Sequence, residues 1–118
     1  MTQKTLITLL LDTTYSMKKH VTSTISGLNE YVGSLQEQDM DARLSLVTFN
    51  AAADGGLSLR SPIAAAPLSG IRPFVESDMP CEGNTPLLAA IKFTIDEVER
   101  TLGARRNVKP ILVIQTDG

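Results

Sequence analysis

The chain has 118 residues with a formal net charge of −2, and 42% of them are hydrophobic against 20% charged, which suits one folded domain with a core and excludes disorder throughout. Acidic and basic residues are interspersed without a Lys/Arg-rich block, so nucleic acid is a poor candidate partner. The apolar run 6–11 is too short to span a bilayer and no signal peptide precedes it, so we expect a cytoplasmic protein without a membrane partner.

The N-terminal third predicts a buried strand followed by a helix. Residues 5–11 are leucine-rich and β-branched without clean alternation, which is typical of a central strand buried on both faces of a parallel sheet. From residue 17 apolar side chains recur every three to four positions, and this spacing predicts an amphipathic helix over 17–37.

The middle of the chain predicts a hairpin and then a loop. Apolar side chains alternate with others over residues 43–50, which are also rich in strand formers. A turn at Asp54-Gly55-Gly56 leads into residues 57–60, so we expect two strands joined as a hairpin. Prolines and glycines are frequent over 61–84, which predicts a long, mostly irregular loop with at most one helical turn.

The last third predicts a second helix and a second buried strand. Asn84-Thr85-Pro86 is a helix-start signal, the apolar face of residues 87–102 follows, and Gly103 is the expected C-cap. Pro110–Thr116 is an almost wholly apolar strand that precedes Asp117. The order β-α-β-β-α-β argues for an α/β domain with a mostly parallel sheet and one antiparallel edge strand.

Oxygen-bearing side chains follow the carboxyl ends of the predicted strands, where open α/β sheets bind their ligands. Asp12, Thr14 and Ser16 follow the first strand, Asp117 follows the last, and Thr85 opens the helix between them. Carboxylates and hydroxyls are ligands that hard cations such as Mg²⁺ prefer, so these residues are a candidate metal site that leaves coordination positions open.

This constellation resembles the metal-ion-dependent adhesion site of the von Willebrand factor A domain, an Asp-x-Ser-x-Ser motif followed by a distant Thr and Asp. The chain is closest in character to small single-domain bacterial and phage members, and the resemblance covers residues 1–118. The matching segments are Asp12-Thr13-Thr14-Tyr15-Ser16, Gly83-Asn84-Thr85-Pro86-Leu87, Thr116-Asp117-Gly118 and Ser26-Gly27-Leu28-Asn29-Glu30-Tyr31.

The resemblance implies a three-layer, Rossmann-like fold and a protein-binding module rather than an enzyme. It further implies that Thr14, Ser16 and Thr85 bind Mg²⁺, Mn²⁺ or Ca²⁺ through their hydroxyls, with Asp12 and Asp117 acting directly or through water. Since such a cation keeps much of its charge, it would attract a Glu or Asp of a partner protein. Thr14 stands where the family usually has serine, and its methyl group stiffens χ1 while the hydroxyl remains.

The family fold continues beyond the strand that ends before Asp117, with further strands and helices. We therefore expect this chain to be a partial domain, with Pro110–Thr116 as a hydrophobic sheet edge that can pair with another chain in an oligomer. The Gly118 carboxylate is a potential competing ligand.

Simpler interpretations remain open from the sequence. Thr14 or Ser16 alone could cap the first helix, and His20 and Cys81 are expected to be ordinary packing or surface residues, since two potential ligands do not make a zinc site. A metal-dependent phosphohydrolase of the haloacid dehalogenase type would need an Asp as general acid at position 14, where this chain has Thr. A structural subunit with a vestigial metal site is the other alternative.

Overall fold

A computed structural model describes residues 4–38, 40–51, 57–79, 81, 87–103 and 108–116. The predicted order of strands and helices is confirmed for these residues, with three short 3₁₀ helices in addition. The strands are β1 (Lys4–Asp12), β2 (Ala42–Ala51), β3 (Leu57–Pro67) and β4 (Val108–Gln115), the helices are α1 (Val21–Glu37) and α2 (Leu87–Leu102), and the 3₁₀ helices span Tyr15–His20, Leu68–Gly70 and Glu76–Asp78.

The four strands form one mixed sheet in the order β3-β2-β1-β4. Strand β1 is parallel to β2 and to β4, and β2 is antiparallel to β3, so the predicted α/β sheet with one antiparallel edge strand is confirmed. In the register, Asp12 lies opposite Phe49 of β2 and Leu11 lies opposite Gln115 of β4. The carboxyl ends of β1, β2 and β4 therefore meet at one edge of the sheet.

Strand β1 is buried on both faces, as its sequence predicts. Ile7, Leu9 and Leu11 belong to the core on one face, which α1 covers. Leu10 packs with Phe49 and the α2 residue Ala90 on the other face. Because helices pack on both faces of this strand, its carboxyl end is held by the core on both sides.

Strand β3 is longer than the sequence predicts, and the prediction of a loop is wrong over residues 61–67. Pro62 and Pro67 lie within the strand, which is tolerated because β3 is at the edge of the sheet and one side of it makes no ladder hydrogen bonds. The pairing with β2 is irregular, and Ala65 has a positive φ of 49° there. Its N–H donates to the Ser45 hydroxyl at 2.8 Å. The predicted turn at 54–56 lies outside the described residues.

Helix α2 ends at the predicted glycine. Gly103 has a φ of +54°, a left-handed conformation that glycine adopts without steric cost. Its N–H donates to the Glu99 carbonyl at 2.9 Å. The helix-start signal at 84–86 lies outside the described residues.

A side-chain clamp joins α1 to the irregular part of the chain after β3. Asn29 donates from Nδ2 to the Phe74 carbonyl at 3.0 Å and accepts from the Phe74 N–H at 2.6 Å. Two turns earlier in α1, the Thr22 hydroxyl donates to the Glu76 carboxylate at 2.7 Å. The amide of Asn29 thus satisfies both backbone groups of a buried residue that belongs to no strand.

Gln36 extends this clamp by two further turns along α1. Its Nε2 donates to the Leu68 and Ile71 carbonyls at 2.9 and 3.0 Å. The spacing of seven residues places Thr22, Asn29 and Gln36 on one stripe of the helix. This stripe fixes the course of the chain between residues 68 and 76.

Strand β4 lies at the end of the described sheet and pairs with β1. Its Ile114 is 37% exposed, whereas Leu112 is partly buried against α2. Pairing of this strand with another chain stays a prediction. Within the described part of the chain, no helix is both long and apolar enough to cross a membrane.

Candidate metal site

Asp12 is the last residue of β1, and its side chain is wholly buried at 0% exposure. One carboxylate oxygen, Oδ1, accepts from the Thr14 backbone N–H at 2.8 Å and from the Thr14 hydroxyl at 2.5 Å. The other oxygen, Oδ2, accepts from the Thr116 hydroxyl at 2.8 Å. These bonds offset the desolvation of the carboxylate and hold it in one orientation.

Thr14 and Ser16 bring two hydroxyls next to this carboxylate. Their Oγ atoms are 3.4 Å apart, with Thr14 buried and Ser16 exposed. Thr14 precedes the 3₁₀ helix Tyr15–His20 but makes no side-chain capping hydrogen bond to it. The capping interpretation therefore does not account for the Thr14 side chain, whose hydroxyl donates to Asp12 instead.

Three of the five predicted site residues thus lie together, and the other two lie outside the described residues. Their exposure to solvent differs: Asp12 and Thr14 are buried, whereas Ser16 is exposed. Thr85 and Asp117 are beyond the described ranges. The described part of the chain contains no group of three or more His, Cys, Asp or Glu that could hold a metal, so a site here depends on hydroxyl oxygens.

Thr13 anchors the site loop to β2, a role that the sequence analysis missed. Its backbone N–H and its hydroxyl both donate to the Phe49 carbonyl, each at 3.0 Å. Asn50 donates from Nδ2 to the Thr13 hydroxyl at 3.4 Å. Because Thr13 is bound to the neighbouring strand, Asp12 and Thr14 on either side of it are held in place.

Thr116 is the second residue that sequence reasoning missed, although the strand register contains a signal for it. Leu11 pairs with Gln115 in parallel strands, so the next residues along, Asp12 and Thr116, meet at the sheet edge. A carboxylate opposite a hydroxyl there predicts a hydrogen bond. Only the pairing of β1 with β4 makes this prediction possible, since the two residues are 104 positions apart.

Cys81 lies near the site but is not set up as a metal ligand. Burial, and then the negative charge of Asp12, raise the pKa of its thiol, while Lys18 lowers it. The thiol donates to the Met79 carbonyl at 3.4 Å. A raised pKa keeps the thiol protonated at neutral pH, and a protonated thiol is a poor ligand.

Asp78, the last residue of the 3₁₀ helix Glu76–Asp78, pairs with its own segment of the chain. It forms a double hydrogen bond with Arg72, at 3.2 and 3.0 Å, and accepts from the Val75 N–H at 2.8 Å. The Arg72 hydrogen bond is the main reason that the pKa of Asp78 lies below its ordinary value. Asp78 therefore stabilises its own loop. The nearby acidic residue Glu82 lies outside the described residues.

A family model for the von Willebrand factor type A domain matches residues 7–118, nearly the whole chain. The chain belongs to the von Willebrand factor type A family. No individual curated protein matches it in a sequence comparison. Domains of this type generally mediate protein–protein interactions. The mixed sheet and the helices on both of its faces are those of a von Willebrand factor A domain, as the resemblance implied.

Proposed function

We propose that this von Willebrand factor A domain is a protein-binding module that depends on a divalent cation. Mg²⁺, Mn²⁺ or Ca²⁺ would be held by Thr14, Ser16 and Thr85, with Asp12 and Asp117 as direct or water-mediated ligands. The observation that carries the proposal is the buried Asp12 carboxylate, which accepts a hydrogen bond of 2.5 Å from the Thr14 hydroxyl.

This hydrogen bond suits a hydroxyl that acts as a metal ligand. The Thr14 hydroxyl directs its proton at Asp12, and the carboxylate that accepts it increases the basicity of the oxygen that would bind the metal. Neighbouring oxygens in an Mg²⁺ octahedron are about 3.0 Å apart, since each bond is about 2.1 Å. The 3.4 Å between the Thr14 and Ser16 oxygens is within a few tenths of an ångström of that spacing.

The balance of charge favours binding of an acidic partner. Two of the ligands are neutral hydroxyls, and Asp12 is the only carboxylate that the described residues place beside them. When bound, the cation would supply a position that accepts a carboxylate oxygen from the partner. Ser16 is the exposed residue of this group, so the partner would approach the cation from the side of Ser16.

Hydrolysis of phosphate esters is the less favoured function. A nucleophilic aspartate must reach its substrate, whereas Asp12 is 0% exposed and both of its oxygens accept hydrogen bonds. Position 14 holds Thr rather than a general acid. We therefore propose that the domain is not an enzyme.

A Mn²⁺ titration of Thr14 variants tests the proposal. Thr14→Ser keeps the hydroxyl and should bind Mn²⁺ like the wild type, whereas Thr14→Val keeps the shape and should weaken binding at least tenfold. Calorimetry measures the affinities, and a pull-down with and without EDTA tests whether partner binding needs the metal. Equal Mn²⁺ affinity of the Val and Ser variants would contradict the proposed ligand, and no Mn²⁺ binding by the wild type would favour a vestigial site.

A further inference from the structure

The 3₁₀ helix that begins beside the candidate site has distinct faces. A 3₁₀ helix has three residues per turn, so side chains at i and i+3 lie one above the other. Met17 and His20 make up one such face, and they are buried and half-buried. Ser16 and Lys19 make up another, and both are exposed.

Lys19 therefore lies on the same face as the proposed metal ligand Ser16. One turn of a 3₁₀ helix rises about 6 Å, because each residue contributes about 2.0 Å. The flexible stem of a lysine lets its ammonium group reach over that distance. Lys19 is thus the nearest exposed charge along this face of the helix.

The 3₁₀ helix Tyr15–His20 beside the site carries basic side chains and no acidic ones. Lys18, Lys19 and His20 form the last turn of the 3₁₀ helix, and its first turn has no acidic residue. The positive charge of Lys18 lowers the pKa of the Cys81 thiol, whereas the negative charge of Asp12 raises it. The last turn of this helix therefore places positive charge near the same sheet edge as the carboxylate.

We propose that the partner segment carries two carboxylates, one for the metal position and a second that pairs with Lys19. This inference rests on the proposed function and specifies the partner of the same site. Alternate residues of an extended chain are about 6.7 Å apart, which matches the rise of one 3₁₀ turn. A Glu-x-Glu type of segment in extended conformation thus fits the face formed by Ser16 and Lys19.

The proposal predicts two effects of opposite sign for Lys19→Gln. Removal of a positive charge one 3₁₀ turn along the helix from the proposed ligand Ser16 should tighten Mn²⁺ binding about twofold at physiological salt. Loss of the ion pair should weaken binding of a two-carboxylate peptide about two- to fivefold. Lys4→Gln is the matched control, since Lys4 begins the strand that Asp12 ends and lies about 26 Å away along it.

The test uses the whole chain with Mg²⁺ and two blocked peptides, Gly-Glu-Gly-Glu-Gly and Gly-Glu-Gly-Gln-Gly, in an NMR titration, with a separate Mn²⁺ titration by calorimetry. A preference for the two-carboxylate peptide that Lys19→Gln abolishes and Lys4→Gln retains supports the proposal. This inference is overturned, while the metal site stands, if wild-type protein binds Mn²⁺ but binds both peptides equally or neither of them. It is also overturned if Lys19→Gln changes neither peptide binding nor Mn²⁺ binding. If wild-type protein fails to bind Mn²⁺, the proposed function fails as well.

Discussion

Replacement of Asp12 by Asn separates the charge of the buried carboxylate from its shape. The amide oxygen can still accept from the Thr14 N–H and hydroxyl, as Oδ1 does at 2.8 and 2.5 Å. The amide nitrogen would face the Thr116 hydroxyl, which can rotate and accept where it now donates. Because the hydrogen-bonding groups stay matched, Asp12→Asn should change the free energy of unfolding by about 1 kcal/mol or less.

Metal affinity should respond much more strongly. A cation that binds the Thr14 hydroxyl at about 2.1 Å lies within about 4.6 Å of the Asp12 oxygen, because that oxygen is 2.5 Å from the hydroxyl. Even with the dielectric constant of water, a unit charge and a divalent cation at this distance attract each other by about 1.8 kcal/mol. Asp12→Asn should therefore weaken Mn²⁺ binding at least about 20-fold.

Calorimetric Mn²⁺ titration and urea unfolding measure these two quantities on the same samples. Asp41→Asn is the matched control, because Asp41 is an exposed aspartate beside the opposite end of β1, where its carbonyl accepts from Thr5. It should leave Mn²⁺ affinity unchanged. Retention of wild-type affinity in Asp12→Asn would refute the argument that the buried carboxylate supports the cation.

Two further predictions concern the segment that follows β3. Asn29→Ala removes two hydrogen bonds to the Phe74 backbone and should lower the free energy of unfolding, measured in urea, by about 1–3 kcal/mol. The control is Ser26→Ala at an exposed position of α1, which should have almost no effect. Equal stability of the two variants would contradict the clamp. Arg72 lowers the pKa of Asp78, so their interaction stabilises the fold above the unfolded-state pKa and is lost as pH falls through the lower folded-state pKa. Asp78→Asn should therefore flatten the decline of melting temperature below about pH 4. An unaltered dependence of melting temperature on pH would argue against this contribution.

Elements defined by local pattern could be predicted from the sequence. The leucine-rich and β-branched run of β1, which lacks clean alternation, indicated burial on both faces. Gly103 ended α2 because few other residues adopt its positive φ. The association of Asp12 with Thr14 and Ser16 also followed from spacing, since all three lie within one turn after a strand.

Features that depend on tertiary placement could not be predicted in this way. Pro62 and Pro67 indicated a loop, but the position of β3 at the sheet edge makes proline tolerable there. Thr116 bonds to a residue 104 positions away and Asn29 to one 45 positions away. Such pairs arise from strand order and helix docking, which a local pattern does not encode.

The clamp on α1 has a consequence for how this domain tolerates redesign. Asn29 and Gln36 bind backbone atoms of Leu68, Ile71 and Phe74, so they recognise the path of that segment and not its side chains. The segment can therefore accept a different sequence, provided that the buried positions 68 and 74 stay apolar and position 74 keeps its N–H. The segment that follows β3 can thus be re-engineered while its anchor points on the helix are left untouched.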